Sequence, residues 1–414
     1  MLKPLLTPEE LERYARAICR IGLAIGPGDD LIVTCQPAHR ELAVAITEAA
    51  YKLKARSVEV DFVDPFVREA YLRTAPDKAI GYQTPWRTSK LRATVKSTTA
   101  TLLIAGESEP GILNRIKPKR IAADFTRPLE RQPELRRLWR QGRRRWAIVA
   151  WPVPAWANKV YPELSEEVAQ RRLARDLLNF LRLGPKDPAD GSRLKADLTA
   201  ITQRAQRLTR LKLERVELRG PGTNLSVALH PDTLWSGGGD KNFYGKRTVP
   251  NLPTEENFTS PEAAATEGFF RCTLPLMFQG RVIEGIAGEF RNGRLVRLEA
   301  KRKADRDFLA GFLFDIDGAD RLGEIALVDR SSRIGKAKRI YYNTLLDENA
   351  AAHMAFGSGF SHTRTNHTTD RSRRGVNRAQ AHLDVMIGSD DFEATGIARR
   401  GRRIPLISNG EWQI

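Results

Sequence analysis

Apolar runs of strand length alternate with segments of helical length through about the first 190 residues, and no other feature narrows the fold as far. Thr7-Pro8-Glu9-Glu10 reads as a capping box: a Thr cap, Pro at the first helical position, and Glu three residues after the cap. The helix it opens is expected to reach Gly26, where Pro27 follows. Segments 30–34, 57–64, 101–105 and 146–149 read as strands, and 39–53, 164–183 and 192–209 as helices. Such alternation implies parallel βαβ units. No Gly-rich phosphate loop follows the first strand, so a dinucleotide site has no support. The turn-rich stretch 184–191 marks a boundary. From Leu211 onward hairpin signals take over, at Gly220-Pro221-Gly222-Thr223-Asn224 and at Asn292-Gly293, with 282–290 and 295–300 as the arms of the second. The expected architecture is an α/β N-terminal domain with parallel βαβ units, residues 1–190. An α+β C-terminal domain rich in antiparallel strands, residues 191–414, follows it.

Three cysteines, far apart and odd in number, rule out a disulfide scaffold and any site built from cysteines alone. No apolar run approaches the ~20 residues that span a bilayer, and the start leads into a helix rather than a secretion signal. A cytoplasmic protein without membrane contact is expected. Of the net charge of +18, the segment 111–145 supplies half, with twelve Lys/Arg against three Asp/Glu. Within it Arg136, Arg137, Arg140, Arg143, Arg144 and Arg145 interleave with Trp139 and Trp146, one recipe for binding nucleic acid. A solvated helix face leading into a strand accounts for the same pattern more simply. A nucleic-acid partner is therefore not expected, and polyanion binding through 111–145 stands as an alternative. The run 399–403 reads as an exposed basic turn.

Four of the six histidines, His353, His362, His367 and His382, fall within thirty residues, and imidazole is the commonest metal ligand. In the strand-like run 381–388, His382 and Asp384 point to one face. Glu348 and His353 flank a run of alanines that favours a helix. Five residues apart, they converge only if Glu348 lies at the helix start or before it. Glu324 is a carboxylate inside an apolar strand, expensive unless paired or bound to a cation. Glu255 and Glu256 sit between prolines and would face opposite ways in a strand, one free to bind a metal and the other to take a proton. This mixed N/O set suits zinc, cobalt or manganese, and it is too rich for one tetrahedral ion. It fits two ions with a bridging carboxylate, an arrangement that serves hydrolysis.

At these segments the sequence resembles the thermophilic metallo-aminopeptidases of the aminopeptidase T and aminopeptidase S type. The matching stretches are Asn251-Leu-Pro-Thr-Glu-Glu256, Leu322-Gly-Glu-Ile-Ala-Leu-Val328, Asn343 to His353, and His382-Leu-Asp-Val-Met-Ile-Gly388, in order along the chain. The resemblance implies a two-domain, homodimeric exopeptidase that cleaves N-terminal residues from peptides with two divalent metals in its C-terminal domain. It implies Glu324, Glu348, His353, His382 and Asp384 as ligands, with Glu255 or Glu256 as a further ligand and the other as general base. Two positions depart from the family. Phe360 stands where the family has a Tyr, seven residues after the motif His, so a hydroxyl donor is missing. Losing one such donor costs about 10²–10³ in rate. Asn257 stands where an aliphatic residue is usual. The departure at Phe360 makes a metallohydrolase of another amide the second alternative.

Overall fold

The computed structural model describes residues 4–130, 132, 134, 135, 138, 142–365 and 375–414. The chain forms two units. The first comprises Met1–Ile116, Arg127–Thr199 and Gly239–Thr254, the second Lys117–Thr126, Ala200–Gly238 and Glu255–Ile414.

In the first unit, α1 (Pro8–Ala17) opens on the expected capping box: the Thr7 N–H donates to Glu10 Oε2 at 2.9 Å and the Glu10 N–H to Thr7 Oγ1 at 3.2 Å. The α-helix ends sooner than expected and continues as one π-helical turn, Ile18–Gly22. Strands β1 (Asp30–Cys35), β2 (Ser57–Phe62), β3 (Ala100–Ala105) and β4 (Arg145–Ala150) form a parallel sheet in the order β2-β1-β3-β4. Its inward side chains, Leu31, Val33, Leu102, Ile104, Ala147 and Val149, share one buried core with Leu42 and Ile46 of α2 (Arg40–Lys52). The parallel βαβ reading is thus what forms.

At the end of the basic segment one arginine is turned inward. Arg145 is buried, donates to the carbonyls of Leu23 (2.7 Å), Ala24 (2.6 Å) and Thr98 (3.0 Å), and pairs with Asp29 at 2.9 Å. Its guanidinium is thereby used up inside the unit and is not offered to phosphate. Arg143 lies 3.8 Å over the Phe243 ring and Arg144 4.8 Å over Trp146. Arg136, Arg137, Trp139 and Arg140 lie outside the described residues, as does His367.

The first strands of the second unit are the hairpin β5 (Leu213–Gly220) and β6 (Thr223–Ala228). Strands β7 (Asp240–Lys241) and β8 (Arg247–Thr248) form a small ribbon in the first unit. The remaining strands belong to the second: β9 (Asn257–Thr259), β10 (Thr266–Arg271), β11 (Leu276–Phe278), β12 (Arg281–Ile283), β13 (Ala287–Arg291), β14 (Arg294–Glu299), β15 (Leu322–Leu327), β16 (His353–Gly357), β17 (His382–Met386), β18 (Glu393–Ala398), β19 (Arg403–Ser408) and β20 (Glu411–Trp412). The arm expected over 282–290 is two strands, because Gly285 turns the chain at φ +67°. An eight-stranded antiparallel sheet runs β14-β13-β10-β6-β5-β18-β19-β20, and a four-stranded one β17-β16-β15-β9. Phe356 of β16 joins them, its ring 5.9 Å from Phe270 of β10 and 5.6 Å from Phe290 of β13. One face of the small sheet is therefore spent on the core, and the other is left for chemistry.

Candidate metal centre

That other face carries the acidic and imidazole side chains. In an antiparallel ladder, residues directly opposite one another share a face. Glu324 pairs with Ala355, and Ala355 with Asp384; Ala326 pairs with both His353 and Phe258; Gly357 pairs with His382. Alternation along each strand then places Glu324, His353, His382 and Asp384 together, and Ala326 and Ala355 between them add little bulk. Gly357 holds this register where no side chain fits: at φ +91°, a Cβ would stand 2.1 Å from the carbonyl oxygen of Ala381.

The side chains converge as two trios that share one member. Ligand atoms of Glu256, Glu324 and His353 lie within 4.8 Å of one another, and so do those of Glu324, His382 and Asp384. His353 Nε2 is 3.1 Å from Glu256 Oε2; His382 Nε2 is 3.2 Å from Glu324 Oε2 and 3.1 Å from Asp384 Oδ1. Each imidazole turns its other nitrogen to a backbone carbonyl: His353 Nδ1 to Ala351 at 3.2 Å, His382 Nδ1 to Ser358 at 2.7 Å. A carbonyl only accepts, so Nδ1 carries the proton in the neutral ring and the Nε2 lone pair faces the carboxylates. This is the usual outer support of a metal-bound histidine.

Electrostatically the cluster lacks positive charge. Burial pushes Glu324 up to about 7 against the pull of His382. Burial also drives Glu348 well above the carboxylate range, helped by Asp384 and Glu256. Burial opposes protonation of His353, yet the hydrogen bond and charge of Glu256 hold it up to about 10. His382 is likewise raised by Asp384 and Glu324 despite its burial. Glutamates that resist ionising and imidazoles that resist neutrality ask for the same thing, cations among them. Donor chemistry, lone-pair direction and charge all fit divalent metal ions.

Glu348 lies outside both trios, buried beside them. Here the expected alanine helix does not form. The helix Thr344–Asp347 ends at Glu348, Asn349 to Ala352 turn, and His353 opens a strand. Helix propensity loses to the need to bring two side chains from opposite sides onto one centre. The turn is tied by Asn349, fully buried, whose Nδ2 donates to Leu345 O at 2.9 Å and Glu348 Oε1 at 3.5 Å. Its Oδ1 accepts from the Glu255 N–H at 2.7 Å. Asp347 ties the loop before it, accepting from the N–H groups of Tyr341 (2.8 Å) and Asn343 (3.0 Å). Of the Glu255–Glu256 pair, Glu256 joins a trio and Glu255 does not. Asn257, fully buried, donates to Ile201 O at 2.9 Å and anchors that strand. The anchoring amides were visible in the sequence only as polar residues inside the motifs. Of the other histidines, His39 and His230 join neither trio, and His362 lies against the rings of Phe258 and Phe360.

The sequence matches the thermophilic metalloprotease (M29) family over residues 7–412. It is 31% identical over 408 residues to Aminopeptidase 2 of Geobacillus stearothermophilus, covering 98% of each chain. It is 31% identical over 407 residues to Aminopeptidase T of Thermus thermophilus, again covering 98% of each. Its fold is that of the solved wild-type AmpT from Thermus thermophilus, with a TM-score of 0.86 at 30% identity, covering 99% of this chain and 100% of that one.

Proposed function

The chain belongs to the thermophilic metalloprotease (M29) family and is a metal-dependent aminopeptidase, and from that premise we propose that its metal site is dinuclear. Glu256, Glu324 and His353 would hold one ion and Glu324, His382 and Asp384 the other, with Glu348 beside them as a further ligand. The observation that carries this reading is the sharing of Glu324 between the two trios. The mixed imidazole and carboxylate donors suit zinc, cobalt or manganese. Once bound, such a pair supplies Lewis acidity and an activated water for attack on an amide. The chain's own part is to hold, orient and move protons. His353 and His382 are oriented through Nδ1, and Asn349 fixes the turn of Glu348 relative to Glu255. With Glu256 committed as a donor, Glu255 takes the water's proton and returns it to the leaving amine. The substrate is a peptide with a free N-terminus, and the working particle is a homodimer, for which light scattering is the direct check.

The test is metal content measured alongside hydrolysis of aminoacyl 4-nitroanilides. Two ions per chain, and activity lost to chelator and restored by zinc, cobalt or manganese, are expected. Activity that survives complete demetallation would end the reading. Glu256→Gln should lose bound metal, whereas Glu255→Gln should keep it and lose kcat by about 10²-fold or more; the reverse pattern exchanges the two roles.

A second reading keeps the centre and changes the amide. Its motive is Phe360, whose ring centroid lies 5.3 Å from that of His382 and brings no hydroxyl. Phe360→Tyr should raise aminoacyl hydrolysis about tenfold or more if the chain is a peptidase lacking a donor. No gain on peptides would favour another amide substrate.

A further inference from the structure

Arg399, Arg400 and Arg402 connect β18 to β19, and Arg403 opens β19; the metal centre uses none of them. In sequence they form a short basic turn, and the fold adds further cations to it. Ala398 at the end of β18 pairs with Leu213 at the start of β5, and Ile397 pairs with Arg215 in β5 and with Arg403 in β19. Residues directly opposite one another share a face, so Arg215, Ile397 and Arg403 stand in one row. The helix Ser192–Arg210 leads into β5, with Arg207 and Arg210 in its last turn and Lys212 between helix and strand. Segments 207–217 and 398–403 thus bring eight Lys/Arg and only two Asp/Glu to one margin of the second unit. All eight cations are exposed. Glu217 is taken by Arg403 at 2.7 Å. Among the described residues, Arg207, Arg210, Lys212, Arg399, Arg400 and Arg402 form no ion pair with an acid.

Two of these cations stand on backbone that favours other residues. Arg400 has φ +60° and Lys212 φ +49°, the left-handed region that Gly and Asn fill with least strain. Lys212 follows a helix end, where Gly is the usual residue. Arg400 lies in a hairpin turn and precedes Gly401, where Asn would be the easier choice. The helix dipole accounts for Arg207 and Arg210, since cations at a C-terminus meet its negative end. It does not account for the hairpin turn. Like charges gathered without acids repel one another, and a bound polyanion removes that repulsion.

Seven of the eight cations are Arg, whose planar fork meets a phosphate with two parallel hydrogen bonds. Arg207 and Arg210 have Cβ atoms about 5–6 Å apart on the helix, and Arg215 and Arg403, with one strand between them, stand about 10 Å apart. That breadth exceeds one phosphate and suits a chain of them. From helix end to strand row to hairpin tip the cations turn a corner. A single strand bends to follow, whereas a duplex stays straight over ~150 base pairs. We propose that this margin binds the phosphate backbone of single-stranded nucleic acid, as a function separate from the metal centre. Contacts to phosphate carry no sequence information, so the binding has no base preference.

The test is fluorescence anisotropy of a labelled oligouridylate over a range of potassium chloride concentrations. Kd should rise with salt, with a logarithmic slope of about 0.7 per phosphate engaged and about 3 in all. Lys212→Gly with Arg400→Asn puts at both positions the residues their backbone favours. This pair should leave the melting temperature and aminoacyl hydrolysis at least as high as in the parent. It should weaken RNA binding about tenfold or more at low salt and cut the slope by about 1.4. Arg399→Ala with Arg402→Ala should weaken binding to the same degree, and it decides alone should the first pair melt early. Lys301→Ala with Lys303→Ala removes equal charge elsewhere in the second unit and should leave binding unchanged. No binding at low salt, unaltered binding in the stable variants of the margin, or an equal loss in the control pair overturns the proposal. Tighter binding of poly-L-glutamate or of phosphatidylserine vesicles than of RNA also overturns it, and assigns the margin to an acidic protein or a membrane. None of these outcomes bears on the aminopeptidase reading, which is decided by metal content and hydrolysis.

Discussion

At the scale of single residues, the centre depends on side chains that would never touch an ion. Asn349 spends its amide on three partners, and two of them, the Glu348 carboxylate and the Glu255 N–H, lie in segments that bear the proposed ligands Glu348 and Glu256. Removing that amide frees the turn 348–352 to shift relative to the strand bearing Glu256. Outer supports of this kind are worth about 10–100-fold in metal affinity. Asn349→Ala should therefore weaken metal binding by that amount in a chelator competition, while far-ultraviolet circular dichroism stays native. Asn349→Asp keeps the acceptor for the Glu255 N–H but adds a negative charge beside Glu348, so it should lower the stability of the metal-free protein. Unchanged metal affinity in Asn349→Ala would mean that the turn is held by other contacts.

At the scale of elements, the two faces of β16 do different work. His353, Ala355 and Gly357 face the centre, while Met354 and Phe356 face the core. The Phe356 ring meets Phe270 and Phe290, so it carries the packing of the small sheet on the large one. Phe356→Ala should cost about 3–5 kcal/mol in urea denaturation, and it should loosen the ligands of β15, β16 and β17 together. A loss below 1 kcal/mol would show that the sheets meet elsewhere. This two-sided strand also marks what the sequence reveals. His382 and Asp384 could be read on one strand face because period-two spacing is a local property. Glu324 could be singled out because a carboxylate within an apolar run demands a partner. The turn at 349–352 could not be read, since three alanines point to a helix unless the distant carboxylates are known to require a bend. The split at Gly285 was equally hidden, because one glycine inside an apolar run does not announce a turn. The choice between Glu255 and Glu256 depends on how Asn257 and Asn349 clamp the segment from either side, and no spacing rule encodes that.

At the scale of the whole molecule, the two units answer to different ligands. In the first, His39 closes the gap between the ends of β1 and β3. Its Nδ1 accepts from the Gln36 N–H at 3.2 Å, and its Nε2–H donates to Gly106 O at 2.9 Å. Burial lowers its pKa to about 4, against the pull of the Gly106 carbonyl. The native state therefore prefers the neutral ring, whereas the unfolded chain binds a proton near 6.5. The stabilisation is complete above that value and is lost as pH falls toward 4, by about 2 kcal/mol at pH 5. In the second unit, cations binding the folded centre add about 2.7 kcal/mol at a hundredfold excess over Kd. Hydrogen exchange resolved by peptide separates the two effects. At pH 5, after correction for intrinsic exchange, β1 and β3 should lose about 30-fold in protection. His39→Gln, which has no proton to gain, should abolish that pH dependence. At neutral pH, chelator should lower protection in β15, β16 and β17 and leave β1 and β3 unchanged. Chelator that loosened both units equally would mean that the metal stabilises the chain as one cooperative body, and acid sensitivity that persisted in His39→Gln would move its origin to another group.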